Sequence, residues 1–551
     1  SATLAAGEAR EIGWDVTVPL NSSKLDWRVE VRERDGRGND AIKLGQTVLP
    51  ALPVRVQQSS LQLLDQPLTL PLAAPPGALP GRGGVAVSLM PSPAQLDGVR
   101  QYMSQYPYAC LEQRTSKAVA LGSSELWAQI SRELPSYLDE QGLARYFPNL
   151  QQGSVELTAY LLSISHEAGW EIPAQAQQKM QGALAAFVAG KLRVAEWGEP
   201  AKLKLMALEA LSRTGKLLPN QLDSLSLQPA NLSNRELLDW ISILQHSELP
   251  SKQDKLQTAL QLLRNRLNVS GTALSFAPGN QDWWALASDD SDAVRALLLA
   301  QAQPEWQSDL PKLLSGALAK QQQGHWDLTT ANAWGALALG KLGKLAQAPA
   351  GSTLISLAGQ QHTQDWAKQP NGGRFDLPWP AAKAELQVRH QGSGVPWVNL
   401  TTRAAVPLSA PVAAGYRISR NVAPVQQAMP GKWSRGDIAR VTLDIEARGD
   451  MGWVVVNDPV PAGATLLNRG FGSDSLAAGR NRNQGAWPQY VEAAHDAYRA
   501  YYNWLPSGKW QLEYSVRLNN SGVFQLPPTR VEAMYAPDLY GEVPNATITV
   551  E

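Results

Sequence analysis

Cys110 and Gln113 stand three residues apart in the stretch Cys110-Leu111-Glu112-Gln113, and their side chains are able to react with each other. Residues at this spacing face each other across one helical turn. The thiol sulfur can then attack the side-chain carbonyl of the glutamine and displace ammonia, which forms an internal thioester. Because a thiolate leaves readily, a nearby amine or hydroxyl captures the Gln113 acyl group and frees Cys110. Glu112 lies between the two, and we expect its carboxylate to polarise the site.

A thioester lasts only where solvent is excluded, so the site needs an apolar cover. Tyr106 and Tyr108 precede the cysteine, and a second pair, Met534 and Tyr535, follows far downstream. These four side chains are the candidates for a thioester shield. Tyrosines also pack in ordinary cores and interfaces, so this alternative stays open at the level of sequence.

The amino-acid composition excludes several kinds of site and partner. Cys110 is the only cysteine, which excludes an internal disulfide framework and a cysteine-based zinc site and leaves a buried free thiol as the simplest alternative. Lysine plus arginine balances aspartate plus glutamate at 49 each, so no net field attracts nucleic acid or an anionic membrane. The sequence has no apolar run of the roughly 18 residues that a membrane-spanning helix needs.

The elements that must position these residues change type twice along the chain. Residues 1–90 alternate in hydrophobicity as strands do, for example at Trp14, Val16 and Val18. From about residue 95 to 345 the apolar spacing becomes helical, and after residue 372 the strand pattern returns. A chain of 551 residues is expected to form several domains.

Start and stop signals support the helical interpretation of the middle block. Ser154 and the Ser233–Glu236 pair have the spacing of N-terminal caps, and Gly169 and Gly215 stand where helices would end. About ten to twelve helices joined by short loops predict an all-α toroid. Strands on both sides of it predict a helical domain inserted into a β-sandwich, followed by a separate sandwich from about residue 410.

The stretch Tyr108-Ala109-Cys110-Leu111-Glu112-Gln113 is similar to the thioester signature of the alpha-2-macroglobulin and complement family. In that signature the cysteine, glutamate and glutamine hold the same relative places. Further stretches resemble the bacterial branch of the family, so the resemblance covers nearly the whole chain. These are residues 157–160, 324–334, 456–463, 522–528 and 531–535.

The resemblance implies a multidomain fold of α and β type. An α/α-toroid thioester domain over 94–375 would be inserted in a CUB-like β-sandwich split into 54–93 and 376–409. Macroglobulin-like β-sandwich domains would flank it, a first one over 1–53 and a C-terminal one over 410–551. In the bacterial branch the terminal domain is held against the thioester and supplies a shielding tyrosine. By motif that residue is Tyr535, with Met534 beside it.

For function, the resemblance implies a broad-spectrum protease trap in bacterial defence, not an enzyme, with no cofactor and no metal. An attacking protease cuts a bait segment, the molecule rearranges, and the exposed thioester couples to a lysine amine of the protease. Bait and further macroglobulin domains would lie upstream, and we expect this chain to be a C-terminal fragment. The resemblance also implies a monomeric periplasmic protein, lipid-anchored to the inner membrane through a distant N-terminal cysteine.

One difference from complement-type relatives concerns the nucleophile that attacks the thioester. Members that favour hydroxyl targets carry a histidine in a loop that corresponds here to about residues 194–200. This stretch contains Trp197 and glutamates but no histidine. Direct attack by amines is therefore expected, and His166 and His246 are left out of the predicted site.

Two other classes remain open. A cysteine enzyme would pair Cys110 with His166, His246 or His325 as base, but it would need no glutamine at position 113. A binding scaffold whose thioester is spent has the same sequence as an active one. The acidic run 289–292 could mark a glycosidase or a cyclase, but it precedes an apolar helix, where acids complement the helix dipole, so we interpret it as a cap.

Overall fold

The computed structural model describes residues 3–5, 7–10, 12–14, 16–19, 22–34, 38–48, 50, 52–92, 97–194, 199–218, 220–249, 251–270, 273–279, 285–343, 348–467 and 487–551. It separates into two units, Ser1–Pro53 and Val54–Glu551. Residues 195–198 lie outside the described residues, and the predicted loop with Trp197 lies there.

In its described residues the first unit forms one antiparallel hairpin, of β1 (Lys24–Arg32) and β2 (Asn39–Thr47). Trp14, Val16 and Val18 are exposed and belong to no strand, so the strand prediction was wrong there. An alternating pattern forms a strand only where a neighbouring strand supplies hydrogen bonds, and no strand in the described part of this unit pairs with these residues. The macroglobulin-like domain over 1–53 stays a prediction.

The second unit begins with three strands, the last of which is buried along nearly its whole length. They are β3 (Arg55–Leu63), β4 (Leu68–Leu72) and β5 (Gly83–Met90). The described residues that follow form eleven α-helices and a small hairpin of β6 (Leu267–Ser270) and β7 (Ala273–Phe276). The helices are α1 (Asp97–Gln105), α2 (Leu111–Leu121), α3 (Ser124–Tyr137), α4 (Val155–Ala168), α5 (Ala174–Val188), α6 (Pro200–Ser212), α7 (Asn234–His246), α8 (Lys252–Asn265), α9 (Asp289–Ala300), α10 (Leu310–Ala319) and α11 (Thr329–Gly343).

Six of these helices form a closed ring, because each of α2, α4, α6, α7, α9 and α11 packs against the next and α11 packs against α2. The other helices lie outside the ring. The predicted caps are present: Ser154 accepts a hydrogen bond from the Leu157 amide, and Gly169 ends α4 with a left-handed φ of 70°. In the described part of the chain, no helix is long and apolar enough to cross a bilayer.

Strands from both sides of the helical block form one β-sandwich. After the block come β8 (Ser352–Leu357), β9 (Gln360–Asp365), β10 (Gly373–Leu377), β11 (Ala384–Gln391) and β12 (Trp397–Ala404). One sheet has the order β10-β5-β12-β3 and the other β4-β11-β8-β9, around a core of their own. The predicted domain boundary at 375 is therefore wrong, because β8 and β9 already belong to the sandwich. Thr353, Ile355 and Leu357 alternate inward, a short signal that the sequence analysis did not use.

The described residues of the terminal β domain form two larger sheets around a core of their own, and a two-stranded sheet. The strands are β13 (Val412–Ala414), β14 (Tyr416–Gln426), β15 (Ile438–Ala447), β16 (Met451–Pro459), β17 (Thr465–Leu466), β18 (Tyr490–Ala493), β19 (Ala497–Leu505), β20 (Gly508–Arg517), β21 (Gly522–Phe524), β22 (Thr529–Ala533), β23 (Ala536–Val543) and β24 (Ile548–Val550). The larger sheets have the strand orders β13-β23-β22-β16-β19-β18 and β14-β15-β20-β17, and β21 pairs with β24.

Candidate functional site

Cys110 is the N-cap residue of α2, one of the ring helices, and its side chain is fully buried. The next residue, Leu111, donates its backbone N–H to the Tyr146 carbonyl at 2.9 Å, which ties the start of α2 to a neighbouring loop. Burial raises the pKa of the Cys110 thiol well above its usual range, and the nearby Glu112 carboxyl adds to this. Hydrogen bonds from the backbone N–H groups of Gln113 and Glu112 act in the opposite direction. Wherever Cys110 carries a free thiol in this buried position, that thiol is therefore protonated.

Gln113 occupies the third position of α2 and folds back over the cap. Its Oε1 accepts a hydrogen bond from the Cys110 backbone N–H at 3.2 Å, in the manner of a capping box. Its Nε2 points toward the Tyr106 hydroxyl at 3.4 Å and the Met534 Sδ at 3.8 Å. The structure thus brings the predicted cysteine and glutamine together at one helix start, and the amide nitrogen that would leave as ammonia faces the predicted shield.

Glu112 is buried and surrounded by hydroxyl groups. Its Oε1 accepts from Ser116 Oγ at 2.5 Å and from Thr329 Oγ1 at 2.8 Å, and its Oε2 accepts from the Tyr535 hydroxyl at 3.0 Å. Because the single Ser116 proton points to Glu112, the Tyr160 hydroxyl at 2.6 Å donates to Ser116. Burial raises the pKa of Glu112, and the three hydroxyl bonds oppose that rise.

Met534 and Tyr535 form the turn between β22 and β23 of the terminal domain, and both side chains are buried. They belong to the same hydrophobic core as the ring helices. Met534 lies over the Gln113 amide, and Tyr535 lies over the Glu112 carboxylate. Two consecutive residues of one domain therefore cover two consecutive residues of another.

Tyr106 and Tyr108 lie in the loop before Cys110. Tyr108 is buried, Tyr106 is half-buried, and their rings meet edge to face at 5.4 Å. The Tyr108 ring also lies 6.2 Å from Tyr501 of the terminal domain. Burial raises the pKa of both phenols well above the usual range, so they remain neutral. Three of the four predicted shield residues contact the site: Tyr106 and Met534 contact Gln113, and Tyr535 contacts Glu112. Tyr108 instead packs between Tyr106 and Tyr501 and hydrogen-bonds Glu532 of the terminal domain.

Trp453, which the sequence analysis missed, links the shield to the start of α2. It lies in β16 with a left-handed φ of 51°, and its neighbours Gly452 and Val454 pair with β19 while Trp453 does not. Its carbonyl accepts the Met534 N–H at 2.8 Å, and its ring lies 4.2 Å from that of Tyr146. Nothing in the local pattern of β16 marks this residue, because its partners are distant in sequence.

The three histidines considered as bases for a cysteine enzyme have other contacts. His166 and His246 face each other at 5.9 Å, and burial together with the Arg213 guanidinium lowers the pKa of both. His325 stacks on Tyr102 at 3.7 Å, and its Nδ1 is 2.7 Å from the Trp326 carbonyl. None of these contacts involves Cys110. No group of three or more histidine, cysteine, aspartate or glutamate side chains in the described ranges could hold a metal ion.

The acidic run 289–292 lies in the first turn of α9, behind the N-cap Ser288, as interpreted from the sequence. One of its members has an additional contact: Asp290 Oδ2 accepts the Asp327 backbone N–H at 3.0 Å. Burial raises the pKa of Asp290 to about 6 and that of Asp327 to about 7. The Asp290 carboxyl adds to the rise in the pKa of Asp327, whereas hydrogen bonds from Asp327 lower the pKa of Asp290.

Asp327→Asn is expected to stabilise the helical ring by about 2 kcal/mol more at pH 8 than at pH 5. A carboxyl with a raised pKa holds its proton in the folded state after the unfolded chain has lost it, so stability falls as pH rises from about 4 to about 7. Asparagine keeps an oxygen for the bonds from Ser288 and Leu328. Thermal unfolding of the helical circular dichroism signal at both pH values measures the effect, with exposed Asp254→Asn as control. Equal stabilisation at both pH values would contradict it.

The comparisons with known proteins agree on one family. A family profile described as the bacterial alpha-2-macroglobulin MG10 domain matches residues 415–538. The alpha-2-macroglobulin homolog of Nostoc sp. (strain PCC 7120) is 24% identical over 374 residues, which cover 64% of this chain and 19% of that protein. This chain thus spans about a fifth of the length of that relative.

Three solved structures share the fold. The native conformation of Escherichia coli alpha-2-macroglobulin superposes with a TM-score of 0.73 at 17% identity, covering 96% of this chain and 35% of that one. A native E. coli fragment from domain MG7 to the C-terminus gives 0.72 at 18% identity, covering 96% and 88%. Salmonella alpha-2-macroglobulin reacted with methylamine gives 0.71 at 20% identity, covering 93% and 34%. The mixed α and β multidomain fold class is confirmed.

Proposed function

We propose that this chain, which carries a bacterial alpha-2-macroglobulin MG10 domain and has the fold of the C-terminal region of those proteins, is the conjugating part of a protease inhibitor. Its Cys110 and Gln113 form an internal thioester that acylates an amine of an attacking protease. The observation that carries the proposal is the burial of this pair at one helix start beneath a turn of another domain.

Formation of the bond needs only groups that the chain supplies. The Cys110 sulfur attacks the Gln113 side-chain carbon, the C–N bond breaks, and the amide nitrogen leaves as ammonia with the thiol proton. The hydrogen bond from the Cys110 N–H to Gln113 Oε1 polarises the carbonyl in the direction that this attack requires. The capping geometry fixes both reactants, so no bimolecular encounter is needed.

Reaction of the thioester with an amine is the reverse of its formation, except that the attacking nitrogen comes from another molecule. An amine attacks the Gln113 acyl carbon, an amide forms, and Cys110 leaves as thiolate and takes up a proton. The Met534–Tyr535 turn keeps amines and water away until the terminal domain moves. Support comes from the Salmonella relative, whose structure was determined after reaction with methylamine.

The remaining parts of the proposal concern the whole protein. We infer that upstream macroglobulin and bait domains sense protease cleavage, that lysine amines of the protease are the acceptors, and that the protein is a monomer. A periplasmic location with a lipid anchor at the inner membrane belongs to the same proposal. These points rest on the similarity to bacterial relatives, of which this chain spans only a part.

Intact mass before and after methylamine, together with thiol titration, tests the function. We expect the resting chain to be lighter than its sequence by one ammonia, and methylamine to add once and release one thiol. The adduct should map to Gln113. A resting chain with a titratable thiol in denaturant, no mass deficit and no adduct would contradict the proposal and favour a scaffold without a live thioester.

A further inference from the structure

We propose that Glu112 selects amines: when the Met534–Tyr535 turn withdraws, its carboxylate binds the incoming ammonium group, takes one proton from it and releases a neutral amine beside the Gln113 acyl carbon. This inference rests on the proposed function and names the acceptor that the site favours. Glu112 would be a catalytic residue, since it touches the reacting nitrogen.

The first argument is that one movement uncovers both groups. Met534 covers the Gln113 amide, and its neighbour Tyr535 binds Glu112 Oε2. A turn of two adjacent residues cannot withdraw from one group and stay on the other. The carboxylate oxygen and the acyl group therefore become accessible together and on the same side.

The second argument is that Glu112 stays oriented after the turn leaves. Its Oε1 keeps the bonds from Ser116 on its own helix and from Thr329 at the start of α11. Both donors belong to the ring, and Tyr160 of α4 holds Ser116 in place. Only Oε2 loses its donor, so it becomes an oriented, unsatisfied acceptor, which an N–H of an ammonium group can satisfy.

The third argument is electrostatic. All three hydrogen-bond donors to the Glu112 carboxylate are neutral hydroxyls. A buried carboxylate without a cationic partner is stabilised far more by a cation than by water or a neutral alcohol. The raised pKa of Glu112 also brings it closer to that of an ammonium group and so makes it a better base.

Few other groups compete for that proton. The phenols and the thiol that face the site are neutral, because burial raises the pKa of each; they are Tyr106, Tyr160, Tyr535 and Cys110. The other nearby carboxylate, Glu532 of β22, is paired with Arg530 and hydrogen-bonded to Tyr108, and it belongs to the terminal domain that withdraws. Arg114 of the same helix is turned away, because it binds Glu133 at 2.7 Å and Tyr137 at 3.0 Å. Glu112 is thus the carboxylate that stays on the ring beside the Gln113 acyl group.

The protons balance over the complete step. The ammonium gives one proton to Glu112, and the neutral amine attacks the Gln113 carbon. When the C–S bond breaks, the nitrogen loses its second proton, which the Cys110 thiolate takes up. The products are an amide and a thiol, and protonated Glu112 returns its proton to water. No oxidant, metal or further reactant is required.

The test compares two small nucleophiles at pH 8, methylamine, which is a cation there, and hydroxylamine, which is neutral. In Glu112→Gln the rate of thiol release with methylamine should fall about 10- to 100-fold, while the rate with hydroxylamine changes less than about 3-fold. Intact mass first establishes that the variant carries the thioester. Exposed Glu125→Gln serves as control. An unchanged ratio of the two rates would overturn the inference.

A second variant covers the case in which Glu112→Gln forms no thioester. Tyr535→Phe keeps Glu112 and removes the hydroxyl that competes for Oε2. We expect its methylamine rate to rise more than its hydroxylamine rate, and an equal rise would oppose the inference. If the unaltered chain reacts with neither nucleophile, the proposed function fails; if it reacts but both variants keep the same rate ratio, only the role of Glu112 fails.

Discussion

Gln113→Ala is expected to abolish covalent capture of amines, with a loss of at least about 100-fold in methylamine incorporation. The amide is the only source of the acyl group, and alanine leaves nothing for the Cys110 sulfur to attack. The variant should have the mass of its sequence, without the deficit of one ammonia. Its thiol should react with a thiol reagent in denaturant but not in the folded protein, because Cys110 is fully buried.

The control is Gln129→Ala, an exposed glutamine on the neighbouring helix α3, which should keep both the mass deficit and the methylamine adduct. The same pair of variants decides between the thioester and a cysteine enzyme. An enzyme that used Cys110 as nucleophile would retain its reactivity toward an acyl substrate in Gln113→Ala. Burial keeps a free Cys110 thiol protonated, and the contacts of His166, His246 and His325 do not include Cys110. The cysteine-enzyme alternative therefore has no base.

The part of the site that could be predicted from sequence is the part that is local. Cys110, Glu112 and Gln113 stand on one helical turn, where spacing alone fixes which side chains meet. The caps at Ser154 and Ser233 are local in the same sense, and both are present in the structure. Short-range geometry of this kind does not depend on the rest of the fold.

The distant part of the site could be predicted only from the family resemblance. Met534 lies 421 residues from Gln113, and no pattern within β22 or β23 shows that their turn enters the core of the ring. The roles of Thr329 and Trp453 were not predicted, because each depends on how two elements pack. The domain boundary was misplaced for a related reason: β8 and β9 are short, and they belong to the sandwich because β8 pairs with β11 and β9 pairs with β8.

Trp453 shows how strain is placed at the junction of two domains. A tryptophan at a left-handed φ costs roughly 1 kcal/mol relative to glycine, so the surroundings must compensate. Part of the compensation comes from outside the terminal domain, since the Trp453 ring packs against the core that contains the ring helices. Its ring contact with Tyr146 and its backbone bond to Met534 both stabilise the docked state, in which the Met534–Tyr535 turn covers Gln113 and Glu112.

Trp453→Gly is therefore expected to loosen the shield while leaving the terminal domain at least as stable. Loss of the half-buried ring should weaken docking by about 2 kcal/mol, which raises the uncovered population about 30-fold. Glycine adopts the left-handed conformation without strain, so the domain's own free energy of unfolding should not fall. Two rates measure the effect: the rate of thiol release with methylamine, and the rate at which the mass deficit of one ammonia disappears in water. Both should rise at least about 10-fold.

Trp487→Gly is the matched control, because Trp487 also belongs to the terminal domain but is 73% exposed. Its rates should equal those of the unaltered chain. Faster thiol release in Trp453→Gly together with a lower unfolding midpoint of the β domain would point to general loosening instead of lost docking. Unchanged release would mean that the turn of Met534 and Tyr535 holds without the tryptophan. In that case the bonds of these two residues to Gln113 and Glu112 would be enough to keep the terminal domain over the Cys110–Gln113 pair.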